Sequence, residues 1–326
     1  MLSKRQPIEK VLADDEVPEI VKTKLRLVQK VRRFASSALL LPDNDSYLSY
    51  ADLKRRYVVW NVFATPALSL QPIESCFVVV GCLNYRGYYK EADARAFAAE
   101  LRAAGHDVYI GGVAAYSTLG WFSDPVINTM LYWDDRRLAR LIFHELTHQL
   151  LYVKNDTLFN ESFATNFAEI GLQKWYQSET GGETNNTQKL PENDTARELD
   201  FIGMIQRAQQ TLTTLYASGD SGPQKRARKA AIFNELQQEY QLFKQRWSNY
   251  DGYDEWMSTD LNNAKIASVV TYHSYDDAFK HLLEQSDHQL AQFIGKVRAI
   301  AALDDMHRHE CLKALSINKD HQCDAG

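Results

Sequence analysis

The chain has 326 residues, 45% of them apolar, with 37 basic against 42 acidic side chains and a formal net charge of -5. That is enough for one large domain or two ordinary ones with a substantial core, and the near-balance of charge gives no reason to expect nucleic acid as a partner. No run approaches the about 18 apolar residues of a membrane span, and MLSKRQPIEK opens on charge rather than on the apolar core of a secretion signal.

In chain order, VPEIVKTKLRLVQKVRRFASSA at 17–38 carries Val and Leu at helical intervals with Lys and Arg between them. This predicts an amphipathic helix with a solvated basic face. LPDNDSY at 41–47 predicts a turn region. From 57 to 83, YVVWNVFATPALSL and SCFVVVGCL are rich in β-branched and aromatic residues and predict strands. YYKEADARAFAAELRAAG at 88–105 predicts a helix stopped by Gly105, and HDVYIGGVAAYST a further strand or extended edge. A helix over 134–152 and another from Asn160 to about Tyr176 come next. SETGGETNNTQKLPENDT at 178–195, polar with paired glycines and a proline, predicts a surface loop. Helices are expected at about 196–217, 225–248, 275–286 and 287–304.

The expected fold class is therefore α+β and predominantly helical, with a small sheet in the N-terminal half packed against a helix pair and a helical C-terminal region. The expected division is a helical segment over 1–50, a sheet-bearing catalytic part over 51–177, the polar loop at 178–195, and a helical part over 196–326 that completes the active-site cleft. Of the four cysteines, Cys76 and Cys82 flank a predicted strand, a spacing poor for direct bonding along one straight strand. Cys311 and Cys323 bracket a short C-terminal segment and suit either a bridge or free thiols, so the cysteines leave the redox compartment open.

LIFHELTHQL at 141–150 carries the chemistry. His144 and His148 are four apart, so on a helix they share one face and can share a metal ion. Glu145 stands beside them, placed to polarise a water on that ion. Leu138, Leu141, Ile142 and Leu146 recur at helical intervals and no Pro or Gly interrupts them, so the motif has the helical context it requires. A catalytic zinc site takes three protein ligands and one open position. Glu161, thirteen residues after His148, supplies the third if KNDT at 154–157 turns the chain back on itself. Glu169, two turns further on, is placed to support the site from outside.

HELTH followed by NESFA resembles the gluzincin peptidases, the thermolysin and M1 aminopeptidase superfamily. Over almost its whole length the chain also resembles a family of bacterial predicted aminopeptidases, through YADLKRRYVVWNVFATP, NYRGYY, GGVAAYSTLGWFSDPVINTM, LIFHELTHQL, FNESFA and LNNAKIASVVTY. The resemblance implies His144, His148 and Glu161 as ligands of one zinc ion per chain and Glu145 as general base. It implies that Asn160 steadies a histidine. Where thermolysin-like enzymes have a supporting aspartate four residues after the glutamate, this chain has Thr165. GGVAAYSTLG at 111–120, in the place of the strand with which M1 enzymes hold the substrate amine, has no carboxylate.

The expected reaction is hydrolysis of a peptide bond. Tyr272 and His273 are the candidates for stabilising the oxyanion. Gly111 and Gly112 are candidates for an edge that pairs with peptide backbone, with Tyr116 lining the cleft. Asn262 and Asn263 suit either peptide amides or helix capping. Arg136, Arg137 and Arg140 suit either a carboxylate near the metal or salt bridges with surrounding acids, and HRH at 307–309 is expected at the surface.

An aminopeptidase acting on peptides is the leading reading. An endopeptidase or oligopeptidase of thermolysin-like mechanism is the alternative within enzymes, and a peptide-binding or envelope scaffold protein the alternative outside them. The resemblance further implies a lipoprotein signal shortly before LSKRQPIEKVL, hence a periplasmic protein held by a lipid anchor rather than by a transmembrane helix; a cytoplasmic protein is the alternative.

Overall fold

The computed structural model describes residues 4–77, 81–115, 118, 122–179 and 192–323. In chain order the elements are β1 (Gln6–Pro7), α1 (Ile8–Ala13), α2 (Glu19–Ala38), β2 (Ser49–Ala51), β3 (Val59–Pro66), β4 (Ser75–Phe77), β5 (Gly81–Leu83), β6 (Arg86–Tyr88), α3 (Glu91–Ala103), β7 (His106–Val113) and β8 (Val126–Ile127). Helices then dominate: α4 (Asp135–Leu150), α5 (Thr157–Glu179), α6 (Glu192–Ala217), α7 (Gly222–Arg246), α8 (Asp254–Ser258), α9 (Asn263–His273), α10 (Asp276–Glu284), α11 (Leu290–Ala301) and α12 (Asp305–Ile317). The fold is mixed α+β and mostly helical, as the patterning predicts. No helix among the described residues is long and apolar enough to cross a membrane.

Two compact units interleave along the chain. The first comprises Met1–Val59, Val113–Glu183 and Ser274–Gly326. Its small sheet has the order β1-β2-β8, antiparallel between β1 and β2 and parallel between β2 and β8. The predicted amphipathic helix is α2, which buries Leu25, Val28, Val31 and Ala35 and packs against α4 and α5. α5 is buried at nearly every position from Thr157 to Ala168 and is the central helix of this unit. Phe159, Phe163 and Phe167 form one face of it, and Phe163 lies 5.5 Å, ring to ring, from Phe279 of α10 and 6.2 Å from Phe293 of α11. Gly171 permits the approach of α5 to α4, since a Cβ there would lie 2.8 Å from Leu39 Cδ1 and 3.0 Å from Phe143 Cδ2.

The second unit comprises Trp60–Gly112 and Thr184–His273. Its sheet has the order β6-β3-β7, and Ala94 and Ala98 of α3 pack with Val62, Ala64 and Val108 of the sheet. α6 packs on α7 and α9 around Met204, Ile205, Leu212, Phe233, Leu236 and Tyr240.

Three expectations need correction. SCFVVVGCL is not one strand. β4 and β5 pair antiparallel with Cys76 opposite Cys82, and these form a disulfide across the hairpin with Cα atoms 3.9 Å apart. Gly81, the first residue of β5, has φ 82°, a left-handed conformation that glycine adopts at no steric cost. Cys311 and Cys323 are bridged as well, so no cysteine is a free thiol. HRH, expected at the surface, lies on α12 and is only partly exposed. Asp304 caps that helix by accepting from the His307 N–H (3.0 Å), and Arg308 is buried while His307 is exposed. The predicted loop at 178–195 lies for the most part outside the described residues, and Tyr116 lies outside them too.

Candidate metal centre

α4 begins where the Asp134 side chain accepts a bond from the Arg137 N–H at 2.8 Å. Leu138, Ala139, Ile142, Phe143 and Leu146 are all but inaccessible and fix the helix in the first unit. α5 begins where Asp156 accepts from the Phe159 N–H at 2.9 Å. The turn between the two helices is short, with Asn155 at φ 68°. Asn160 holds that turn with both ends of its amide: it accepts from Val153 N (2.8 Å) and donates to Val153 O (2.7 Å). The expectation that Asn160 steadies a histidine is therefore corrected, because its polar atoms serve the turn.

This turn brings three side chains together. His144 Nε2 lies 3.1 Å from His148 Nε2 and 3.2 Å from Glu161 Oε2, and His148 Nε2 lies 3.6 Å from the same oxygen. A single N–H on His144 can satisfy only one of its two neighbours. A cation in the middle would satisfy all three. Ligand atoms at zinc's usual bond lengths of roughly 2.0–2.1 Å sit about 3.3 Å apart at the corners of a tetrahedron, and the observed edges bracket that value. The donor set of two imidazoles and one carboxylate thus fits zinc in both type and spacing.

Burial and mutual charge shape the acidities. Burial pushes the His144 imidazole down, against its bond to Glu161. Burial acts the same way on His148, but the Glu161 charge and hydrogen bond outweigh it and raise that imidazole. For Glu161 burial favours the neutral acid, yet the two histidines override it and hold the carboxyl well below its usual range. Glu145 is the opposite case: burial, reinforced by the charges of Glu161 and Asp124 against that of His148, pushes its carboxyl up to about 7.

The surroundings are polar on one side. Arg32 donates to the carbonyls of Pro42, Asn44 and Ser46 and so holds the 42–46 turn, while Asn44 and Ser46 bond Gln149, one helical turn after Glu145. The next residue, Tyr47, is 1% exposed and its hydroxyl finds no partner among the described residues. Its phenol is held well above the usual range by burial and then by the Glu145 charge. The backbone of Tyr47 donates to Asp124 O at 2.6 Å, and Asp124 is itself buried. Sequence patterning did not single out Tyr47 or Asp124, because a turn tyrosine and an FSDP aspartate carry no periodic signal.

The other candidates are distributed as follows. Glu169 is taken by Arg140 (2.6 Å) and Arg136 (3.8 Å), so these arginines form salt bridges with an acid of α5. The Arg140 charge also helps hold His144 down. Thr165 is buried one turn beyond Glu161 and bonds neither histidine, and His148 Nδ1 is buried with no partner among the described residues. Asn262 and Asn263 belong to the second unit and bond their own chain. Asn262 accepts from Lys265 N (3.1 Å) and donates to Val108 O (3.2 Å). Asn263 donates to the carbonyls of Pro66, Ala67 and Ser69 and accepts from Tyr216 (2.8 Å). Of the two readings expected for Asn262 and Asn263, these bonds fit helix capping and loop closure. Gly111 and Gly112 lie on β7, an edge strand of its sheet among the described residues, and Tyr272 and His273 end α9; all four belong to the second unit.

Two further clusters hold metal-ligating residue types. Glu74 lies with Cys76 and Cys82, whose sulfurs are joined to each other. Asp156, Asp305 and His309 surround the Arg308 guanidinium, which already supplies the cation.

Fold and site together define a mostly helical α+β chain with a His–His–Glu cluster on two packed helices. The chain belongs to the family described as "Putative aminopeptidase", whose sequence pattern matches residues 1–312. No curated protein and no solved structure matches it. Membership in this family is consistent with peptidase activity in general terms.

Proposed function

We propose that the protein is a zinc-dependent peptidase that removes residues from the N-termini of peptides. The observation that carries this reading is the convergence of His144 Nε2, His148 Nε2 and Glu161 Oε2 within 3.6 Å, with Glu145 next in the chain to the first of them. In this reading the three side chains hold one zinc ion per chain. When bound, that ion supplies a Lewis acid and makes water acidic enough to ionise near neutral pH.

Glu145 is the general base. It takes a proton from water as the water adds to the peptide carbonyl and then delivers that proton to the departing amine. Its burial suits this work, since a desolvated carboxylate binds a proton more strongly than one in water. Tyr272, or His273 beside it, is proposed as the donor to the oxyanion. Gly111 and Gly112, on an edge strand, are proposed to pair with substrate backbone. Glu169 keeps a supporting role only through Arg140, and Thr165 only through packing. The resemblance to lipid-anchored relatives and two disulfides that use all four cysteines both support a periplasmic location.

The testing experiment is a mass-spectrometric digest of a peptide library of mixed length with N-acetylated twins, with Glu145→Gln as control. Stepwise loss of N-terminal residues from free-amine peptides alone is expected. Internal cuts that ignore acetylation would replace the exopeptidase reading with an endopeptidase. Cleavage no greater than the Glu145→Gln background would contradict peptidase function.

A further inference from the structure

The N-terminus of α5, five residues before Glu161, is held from outside by a buried ionic group on the last helix. Asp156 divides its carboxylate. Oδ1 caps α5 through the Phe159 N–H (2.9 Å), while Oδ2 accepts from Arg308 Nε at 2.6 Å and lies 3.4 Å from His309 Nε2. The Asp156 and Arg308 side chains are 1% and 5% exposed. The rest of the guanidinium is occupied too. Nη1 donates to Leu303 O at 2.7 Å, Nη2 meets Asp305 Oδ1 at 3.2 Å, and the guanidinium carbon lies 5.9 Å from the ring centre of Phe159. His309 Nδ1 meets the Tyr275 hydroxyl at 2.6 Å, just before α10. Five residues after Glu161, Asn166 donates to Asp276 Oδ1 at 2.8 Å. α5 is thus tied to α12 at its N-terminus, before Glu161, and to α10 after it, through Asn166.

A buried ion pair is a costly way to stabilise a fold, since apolar residues of the same volume commonly do as well. What it adds is direction. A guanidinium fork and a carboxylate meet in one geometry, and this pair fixes the position of the first turn of α5. Ligand carboxylates that are not themselves held lose metal affinity, and the partners that orient them matter by roughly 10- to 100-fold.

We propose that Arg308, acting through Asp156, is a positioning residue that sets the Glu161 carboxylate against His144 and His148. This rests on the metal reading of that trio. The test compares zinc dissociation constants, by chelator competition, for folded wild type, Asp156→Ser and Leu315→Ala. Serine at 156 keeps the cap but removes the partner of Arg308. Leu315 is fully buried on α12, seven residues beyond Arg308 in the chain, and its variant reports a plain loss of stability.

The expected result is zinc binding weakened about tenfold or more in Asp156→Ser, with Leu315→Ala within about twofold of wild type. Equal affinities in all three would overturn the proposal. So would an equal loss in the two variants, which would make the effect one of stability alone. If Asp156→Ser does not fold, Arg308→Lys serves instead. It keeps the charge without the fork and is expected to lose several-fold in affinity, and wild-type affinity there overturns the proposal. Wild type that binds no zinc would remove the metal reading and the proposal together, whereas tight zinc binding unaffected at Asp156 and Arg308 would remove the proposal alone.

Discussion

Glu145 and Glu161 are both buried glutamates, yet their acidities move in opposite directions. Two histidine contacts hold Glu161 ionised, while Glu145 has burial and two neighbouring acids against a single histidine. This difference fits the proposed division between ligand and base, and it gives two predictions. Glu145→Gln should abolish peptide cleavage, by a factor of about 100 or more, and should bind zinc as wild type does; steady-state kinetics and metal content check both. In chelator-treated protein, the folded Glu145 carboxyl titrates at about 7 against the ordinary 4.5. Between those values the folded state holds the extra proton, so stability falls as pH rises through the window and is level above it. Metal-free Glu145→Gln lacks that fall. It should be more stable than metal-free wild type at pH 8, on the order of 1–3 kcal/mol, with the gap closing toward pH 4.5. Denaturant melts across pH test this, and a gap independent of pH would contradict it.

The helix pair α4–α5 is the element that makes the site, and much of it can be read from the sequence. His144, Glu145 and His148 lie in a stretch with helical apolar spacing, and the next glutamate within reach is Glu161. The turn chemistry is less legible. Asn160 reads as a partner for a histidine, but only the fold shows that its amide closes on Val153. Asp156 follows the rule for helix caps, but its second partner, Arg308, lies 152 residues away in the chain, a distance that local pattern cannot bridge. α9 lacked a signal because NAKIASVVTYH is buried around most of its circumference and so shows no apolar stripe. The SCFVVVGCL run reads as one strand because alternation cannot reveal a reversal in the middle of an apolar stretch. At this scale Gly171→Ala is a sharp test. The added methyl meets Leu39 and the Phe143 ring, next to His144 in the chain. Thermal melting should show a loss of about 1–3 kcal/mol, and zinc affinity should weaken as α5 shifts from α4. A neutral result on both counts would mean the helices have room to spare.

For the whole molecule, the chain leaves the first unit at residue 59, returns at 113, leaves again at 183 and returns at 274. Composition and periodicity mark helices and strands well enough to give the α+β class, but they carry no record of which segments close into one body. The C-terminal stretch shows the consequence. In the sequence HRH at 307–309 is expected at the surface and no helix is drawn after 304, whereas in the fold α12 packs on α10 and α11 and reaches the start of α5 through Arg308. The Cys311–Cys323 bridge, with a sequence separation of 12, fastens the tail to that helix. Replacing both cysteines by serine should cost about 2–3 kcal/mol of stability. The same reasoning predicts a lower melting temperature in reductant, which differential scanning fluorimetry would show.

In the proposed function His144, His148 and Glu161 form one zinc site served by Glu145. The most direct test is zinc stoichiometry and affinity by equilibrium dialysis for folded wild type, Glu161→Gln and Glu145→Gln. One tightly held ion per chain in wild type and Glu145→Gln, with at least about tenfold weaker binding in Glu161→Gln, is the predicted result. No zinc in wild type, or binding indifferent to Glu161, would contradict the account.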